Sequence, residues 1–197
     1  MNYSESFVIA VSGPSGAGKT SLVSRLVAEF SPATSLSYDH YYRSVAAWEC
    51  NYTEWVQQGC DPNHFISIPR LVDDLRVLRS GMVVTSPRNE VLVPAPIIVL
   101  EEPWGRQRRE IAPLIDFVVH IDLPLDVSLA RRLLRDADHG RDPLAFVRAY
   151  LVEPIRAIYV QQQQGAASAD LILPGMQSES DIARAAGTCI RAVLKQR

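Results

Sequence analysis

Gly13-Pro14-Ser15-Gly16-Ala17-Gly18-Lys19-Thr20 fills every fixed position of the pattern G-x-x-x-x-G-K-[ST]. The run before it, Phe7-Val8-Ile9-Ala10-Val11, is apolar, too short for a helix and bounded by Ser-Gly-Pro, so it predicts a buried strand. After it, Leu22, Val23, Leu26, Val27 and Phe30 recur at three- and four-residue spacing, which predicts an amphipathic helix from Lys19 to Phe30. A strand, a glycine turn and a helix in that order make an anion cradle. Glycines let backbone amides turn inward, and the helix N-terminus adds its partial positive charge. Lys19 is placed to reach β and γ phosphates, the Thr20 hydroxyl is placed to ligate Mg²⁺, and Ser21 follows on the same turn. Pattern and context together imply binding of ATP or GTP. They name no reaction, because GTPases, ATPases and small-molecule kinases share this cradle.

Further along, Thr34 to Tyr38 reads as a short strand, and residues 39–66 as an aromatic-rich loop. Leu71, Val72, Leu75 and Leu78 mark one face of a helix from Ile68 to Arg79, stopped by Ser80-Gly81. Met82–Thr85 and Glu90–Val93, parted by Ser86-Pro87-Arg88-Asn89, predict a hairpin. Pro96–Leu100 and Asp116–Ile121 are further apolar strands. A helix follows from Pro124 to Asp136, with Asp122 as its expected cap. A second helix runs from Asp142 to about Gln163 with a bend at Pro154; Gln161–Gln164 reads as its polar end. Ala169–Leu173 and Ser180–Lys195 give a last strand and a last helix. Strands alternating with helices imply a mostly parallel α/β sheet of about five strands, covered by helices on both faces. With no repeat and no linker, residues 1–197 read as one domain.

Composition narrows the class further. A formal net charge of −2 gives no basic surface for nucleic acid. The N-terminus MNYSESFVIAV lacks the features of a signal peptide, and no apolar run approaches the roughly 20 residues of a membrane span. Three cysteines, Cys50, Cys60 and Cys189, at unrelated spacings read as reduced thiols, which suits the cytoplasm. His120 falls inside an expected strand and reads as a core histidine.

In an open parallel sheet, ligands sit at the carboxyl ends of the strands. Asp39 follows the second expected strand and Glu101 ends the Pro96–Leu100 strand, so both should face the cradle. A carboxylate there either helps hold Mg²⁺ or takes a proton from an attacking hydroxyl. Arg132 and Arg135 lie three apart on one helix face, and Arg141 follows Gly140. Arginines on a mobile segment, here about residues 136–142, can close over phosphates and neutralise developing charge. A solvated basic face paired with Asp136, Asp138 and Asp142 is the alternative. Six of the fifteen aromatic residues fall between Tyr38 and Trp55, where they either stack on a flat acceptor or cover the core. Tyr41, Tyr42, His64 and Arg88 are the acceptor-side candidates, and Trp104 either lines a pocket or packs.

Together these segments resemble the uridine kinase-like branch of P-loop kinases, which includes phosphoribulokinase, pantothenate kinase and nicotinamide riboside kinase relatives. The likeness is carried by Gly13–Thr20, Leu36–Arg43, Asn51-Tyr52, Asp61–Phe65, Ile98–Glu101, Arg131–Asp136 with Gly140-Arg141-Asp142, and Ala169–Gly175. It implies a P-loop NTPase fold with a small hairpin and an arginine-bearing lid, ATP and Mg²⁺ as cofactors, and transfer of the γ-phosphoryl to a hydroxyl of a small nucleoside-like metabolite. It implies Asp39 as base, Glu101 near metal, Arg132, Arg135 and Arg141 as lid arginines, and Pro174 near adenine. Three features depart from the family. Met82–Val93 carries no aromatic residue and no histidine, Glu102 stands where glycine is usual, and the lid is one residue shorter, with His139 in place of arginine. The acceptor therefore stays unnamed, with nicotinamide riboside-type and pantothenate-type kinases as alternatives. A nucleotide-binding regulator without kinase activity is the alternative of another class. A small-molecule acceptor is the expected partner, and the oligomeric state is open, a homo-oligomer included.

Overall fold

A computed structural model describes residues 6–42, 57, 68–152 and 155–197. Five parallel strands form the central sheet in the order β2-β5-β1-β6-β7. They are β1 (Phe7–Ser12), β2 (Ala33–Ser37), β5 (Ile97–Glu101), β6 (Phe117–Asp122) and β7 (Leu171–Pro174). The expected hairpin forms from β3 (Val84–Thr85) and β4 (Val91–Leu92), with Val84 opposite Leu92.

Alternation along the strands divides the core in two. Phe7, Ile9 and Val11 of β1 point to one face, where α1 (Lys19–Glu29) and α7 (Glu179–Leu194) supply Leu22, Leu26, Ile182, Ala186 and Ile190. Val8 and Ala10 point to the other, where α3 (Pro69–Arg79) supplies Leu71, Val72, Leu75 and Leu78. With both faces covered, the inner strands read as continuous apolar runs rather than alternating ones.

Two segments depart from expectation, the start of the helix after β6 and residues 38–42. Asp122 does not cap the helix after β6. It is the last residue of that strand, and α4 (Leu125–Asp138) starts after Pro124 without a side-chain cap. Leu123, fully buried, extends the strand's packing and delays the helix. The expected helix from Asp142 to Gln163 is described in two stretches, α5 (Pro143–Val152) and α6 (Ile155–Gln164), on either side of residues 153–154, which lie outside the described residues. Residues 38–42 form a short helix, α2 (Tyr38–Tyr42), immediately after β2. The side chain of Tyr42, Pro154, and the candidates Arg43, Trp48, Cys50, Asn51, Tyr52, Trp55, Cys60, Asp61–Phe65 and His64 lie outside what is described. Among the described residues, no helix is long and apolar enough to cross a membrane.

Candidate active site

The strand registers assemble one end of the sheet. Ser37 of β2 and Val11 of β1 both pair with Glu101 of β5, and Ser12 pairs with His120 of β6. The cradle leaves β1 directly after Ser12, and Asp39 lies two residues past Ser37, so the register brings both to the edge that Glu101 occupies.

Gly13 adopts φ 134°, where a Cβ would stand 2.6 Å from the Ile121 carbonyl oxygen, and Gly16 adopts φ 81° against the Ser128 carbonyl. Only glycine fits both turns. Pro14 contributes its carbonyl, which accepts from Lys19 Nζ at 3.0 Å. Helix α4 braces the loop. Ser128 Oγ donates to Ser15 O, Arg131 to Gly16 O at 3.4 Å, and Arg135 Nη2 to Ser15 Oγ at 3.3 Å. Ala17 is buried behind the loop, and Gly18 opens α1.

A cleft of about 820 Å³ opens on this loop, lined among others by Lys19, Thr20, Asp39, Glu101, Arg132, Arg135 and Arg141. Burial pushes the Lys19 ammonium below its usual value, while the carboxylates of Glu101 and Asp39 pull it back up. The Thr20 hydroxyl donates to both Glu101 oxygens, at 3.2 and 3.1 Å. These oxygens sit where a hard cation would be held by one hydroxyl, one carboxylate and phosphate oxygens, so the donor set fits Mg²⁺. Arg132 and Arg141 share one carboxylate: Arg132 Nε donates to Asp136 Oδ2 at 2.7 Å and Arg141 Nη1 to Oδ1 at 3.3 Å. Burial pushes the Asp136 carboxyl up, but these two guanidiniums outweigh it and hold it below the ordinary range. The Arg132 guanidinium also lies 4.5 Å from the centre of the Phe146 ring.

Other candidates fall elsewhere. Ser21 lines the cleft, but its hydroxyl donates to Glu179 at 3.1 Å. Pro174 ends β7 opposite Asp122 and is not among the residues lining the cleft. Tyr41 is 1% exposed and donates to Asp74 at 2.8 Å, so its ring belongs to the core. It also borders a second cleft of about 340 Å³, with Arg88, His40, Glu90 and again Thr20, Asp39 and Glu101. His40 Nδ1 lies 3.7 Å from Glu90 there.

Glu102 does not enter the main cleft. Fully buried, it accepts from the Trp104 backbone at 3.3 Å, and burial pushes its carboxyl up against the pull of Arg108. Trp104 both packs and lines: it is 2% exposed, meets Tyr38 edge-on at 5.3 Å, and borders the cleft with it. His120 is fully buried, with Nδ1 3.0 Å from Ser12 Oγ, and burial lowers its pKa to about 4.

Sequence reasoning missed the wall supplied by α5 and α6: Phe146, Ile155, Ile158, Tyr159 and Gln162. The α6 residues stand at i, i+3, i+4 and i+7, a legible stripe, but no pattern said what it faced.

The sequence pattern of the phosphoribulokinase/uridine kinase family matches residues 73–182. A uridine kinase of Borrelia duttonii (strain Ly) is 29% identical over 179 residues, covering 85% of each chain. One from Deinococcus deserti is 28% identical over 184 residues, covering 85% of this chain and 87% of its own. Among solved structures, a candidate fructose transport system kinase from Silicibacter sp. TM1040 superposes with a TM-score of 0.56 at 18% identity, covering 87% of this chain and 91% of that one. A possible uridine kinase from Bacillus stearothermophilus gives 0.50 at 16%, covering 88% and 91%. These likenesses show the P-loop kinase fold.

Proposed function

The chain belongs to the phosphoribulokinase/uridine kinase family and is a phosphotransferase with an alcohol group as acceptor, and from that premise we propose that it transfers the γ-phosphoryl of ATP to a hydroxyl of a small nucleoside-like metabolite in the cytoplasm. The observation that carries the reading is the meeting of Lys19, Asp39 and the lid arginines in one cleft over the glycine turn. The loop amides and Lys19 hold the triphosphate. Arg132, Arg135 and Arg141 meet the charge that spreads over the transferring group. Asp39 orients the acceptor hydroxyl and takes its proton as the oxygen attacks phosphorus. Thr20 and Glu101 would hold Mg²⁺, with Asp39 able to reach it through water; when bound, the ion neutralises phosphate charge. Little covalent chemistry is asked of the protein, so positioning and electrostatics supply most of the rate.

Asp39 borders both clefts, which supports its role as the group that meets a hydroxyl arriving from either. The test is acceptor-dependent ADP release, scanned over nucleosides, vitamins and sugars. Release that rises with an acceptor and yields its phosphate ester supports the reading. Release that no acceptor raises above the ATPase background replaces it with a nucleotide-binding regulator.

A further inference from the structure

The helix that carries Asp39, α2, is five residues long, too short to hold itself in place by its own backbone bonds. Two tyrosines tie it down. Tyr41, near its end, donates to Asp74 at 2.8 Å. Tyr38, at its start and next in the chain to Asp39, packs against the segment that follows β5. Its ring meets the Trp104 ring edge-on at 5.3 Å. The Arg108 guanidinium lies 5.3 Å from the centre of the Tyr38 ring and 5.7 Å from that of Trp104, so it is stacked against both. Arg108 follows the 3₁₀ turn Gly105–Gln107 and is 6% exposed, which keeps its charge inside the protein. A buried cation is costly unless partners surround it. Besides the two rings, the fully buried Glu102 is its electrostatic partner: burial pushes that carboxyl up, and the pull of Arg108 is the strongest influence the other way. The glycine turn is joined to the same segment through the backbone, where Gly13 N donates to Pro103 O at 3.2 Å and Glu102 N to Val11 O at 3.1 Å.

We propose that Arg108 is a positioning residue for phosphoryl transfer: stacked against Tyr38 and Trp104, it fixes the start of α2 and with it the place of the Asp39 carboxylate over the phosphate cradle. This rests on the kinase reading above, with Asp39 as the base. Arg108 is not among the residues that line the main cleft, whereas Tyr38, Asp39 and Trp104 are, so it acts through them. Placement matters because an error of about 1 Å in a reacting group can slow a reaction on the order of a hundredfold. The cradle keeps its shape without the guanidinium, since backbone bonds join it to this segment.

The experiment is a double-mutant cycle in the full chain with ATP, Mg²⁺ and the best acceptor from the scan above. Arg108→Met keeps a long side chain and removes the charge. It should lower kcat about tenfold or more, while KM for ATP moves less than about threefold. In Asp39→Asn, where the carboxylate is already gone, Arg108→Met should lower kcat by less than about twofold further. An equal loss in both backgrounds overturns the proposal, because an arginine that only stabilises the fold keeps its effect when the carboxylate is removed. A KM for ATP that rises in step with the loss of kcat overturns it as well. Should Arg108→Met fold poorly, Tyr38→Leu takes its place in the cycle, with the same expectation and the same contrary results. Amide hydrogen exchange separates the two claims: in Arg108→Met it should quicken about threefold or more at residues 38–42 and stay at the wild-type rate at residues 13–20. Quickened exchange at 38–42 in a protein with no acceptor-dependent turnover sinks the kinase reading and leaves the anchoring by Arg108 standing. Acceptor-dependent turnover with unchanged exchange at 38–42 does the reverse.

Discussion

Asp136 holds two arginines on one nearly buried carboxylate, so its charge does more than a surface ion pair would. Asp136→Asn should cost about 1–3 kcal/mol at neutral pH, between the values for exposed and fully buried pairs, and should slow turnover by loosening Arg132 and Arg141. The folded-state pKa is depressed, so the stabilisation is present above the ordinary carboxylate value and fades as pH falls through the folded one. Denaturant midpoints of wild type and variant should therefore begin to converge only as pH falls below the ordinary carboxylate value of about 4, and should meet once it passes the depressed folded-state value. His120 behaves differently. Its folded-state pKa is about 4 against an ordinary 6.5, so the unfolded chain takes up a proton that the folded chain refuses. Stability should be full above pH 6.5 and fall toward pH 4 by at most about 1.4 kcal/mol per pH unit from this group. His120→Gln should flatten that part of the profile; an unaltered slope would contradict the buried neutral imidazole.

At the scale of elements, β1, the glycine turn and α1 act as one piece. Gly13→Ala would drive a methyl group toward the Ile121 carbonyl at a φ that side chains rarely adopt. ATP affinity measured by titration should drop by tenfold or more, because the amides of the loop lose their common aim. An unchanged affinity would mean the turn is not what holds the phosphates. This piece was legible in the sequence because its determinants are local: an apolar run, glycines at fixed offsets, and a helical stripe. The hairpin was legible for the same reason. The start of α4 was not, because Leu123 continues the strand's burial and a capping signal at Asp122 cannot express that tertiary preference. The surroundings of Glu102 were not legible on similar grounds. It follows Glu101 at the strand end, yet it is buried against the Trp104 backbone instead of entering the main cleft, an outcome set by Arg108 and Trp104 from the next turn.

Over the whole molecule, the site is a product of sheet order. Strands far apart in sequence put Ser37, Glu101 and Val11 in register, and the arginine side of the cleft comes from residues more than a hundred positions after the glycine turn. Residue spacing drew attention to Lys19, Thr20, Asp39 and Glu101 because each stands at an element end that pattern reveals, and to Arg132 and Arg135 because they lie three apart within α4. It could not locate the α5–α6 wall, since the packing of those helices over the cleft depends on how the chain returns after α4. If the Asp39 carboxylate drives phosphoryl transfer to a hydroxyl, Asp39→Asn, assayed for turnover with the best acceptor and for ATP binding in parallel, reads its contribution alone. ATP affinity should stay close to wild type and turnover should fall by about two orders of magnitude or more, as expected for loss of a general base. Turnover equal to wild type would contradict it.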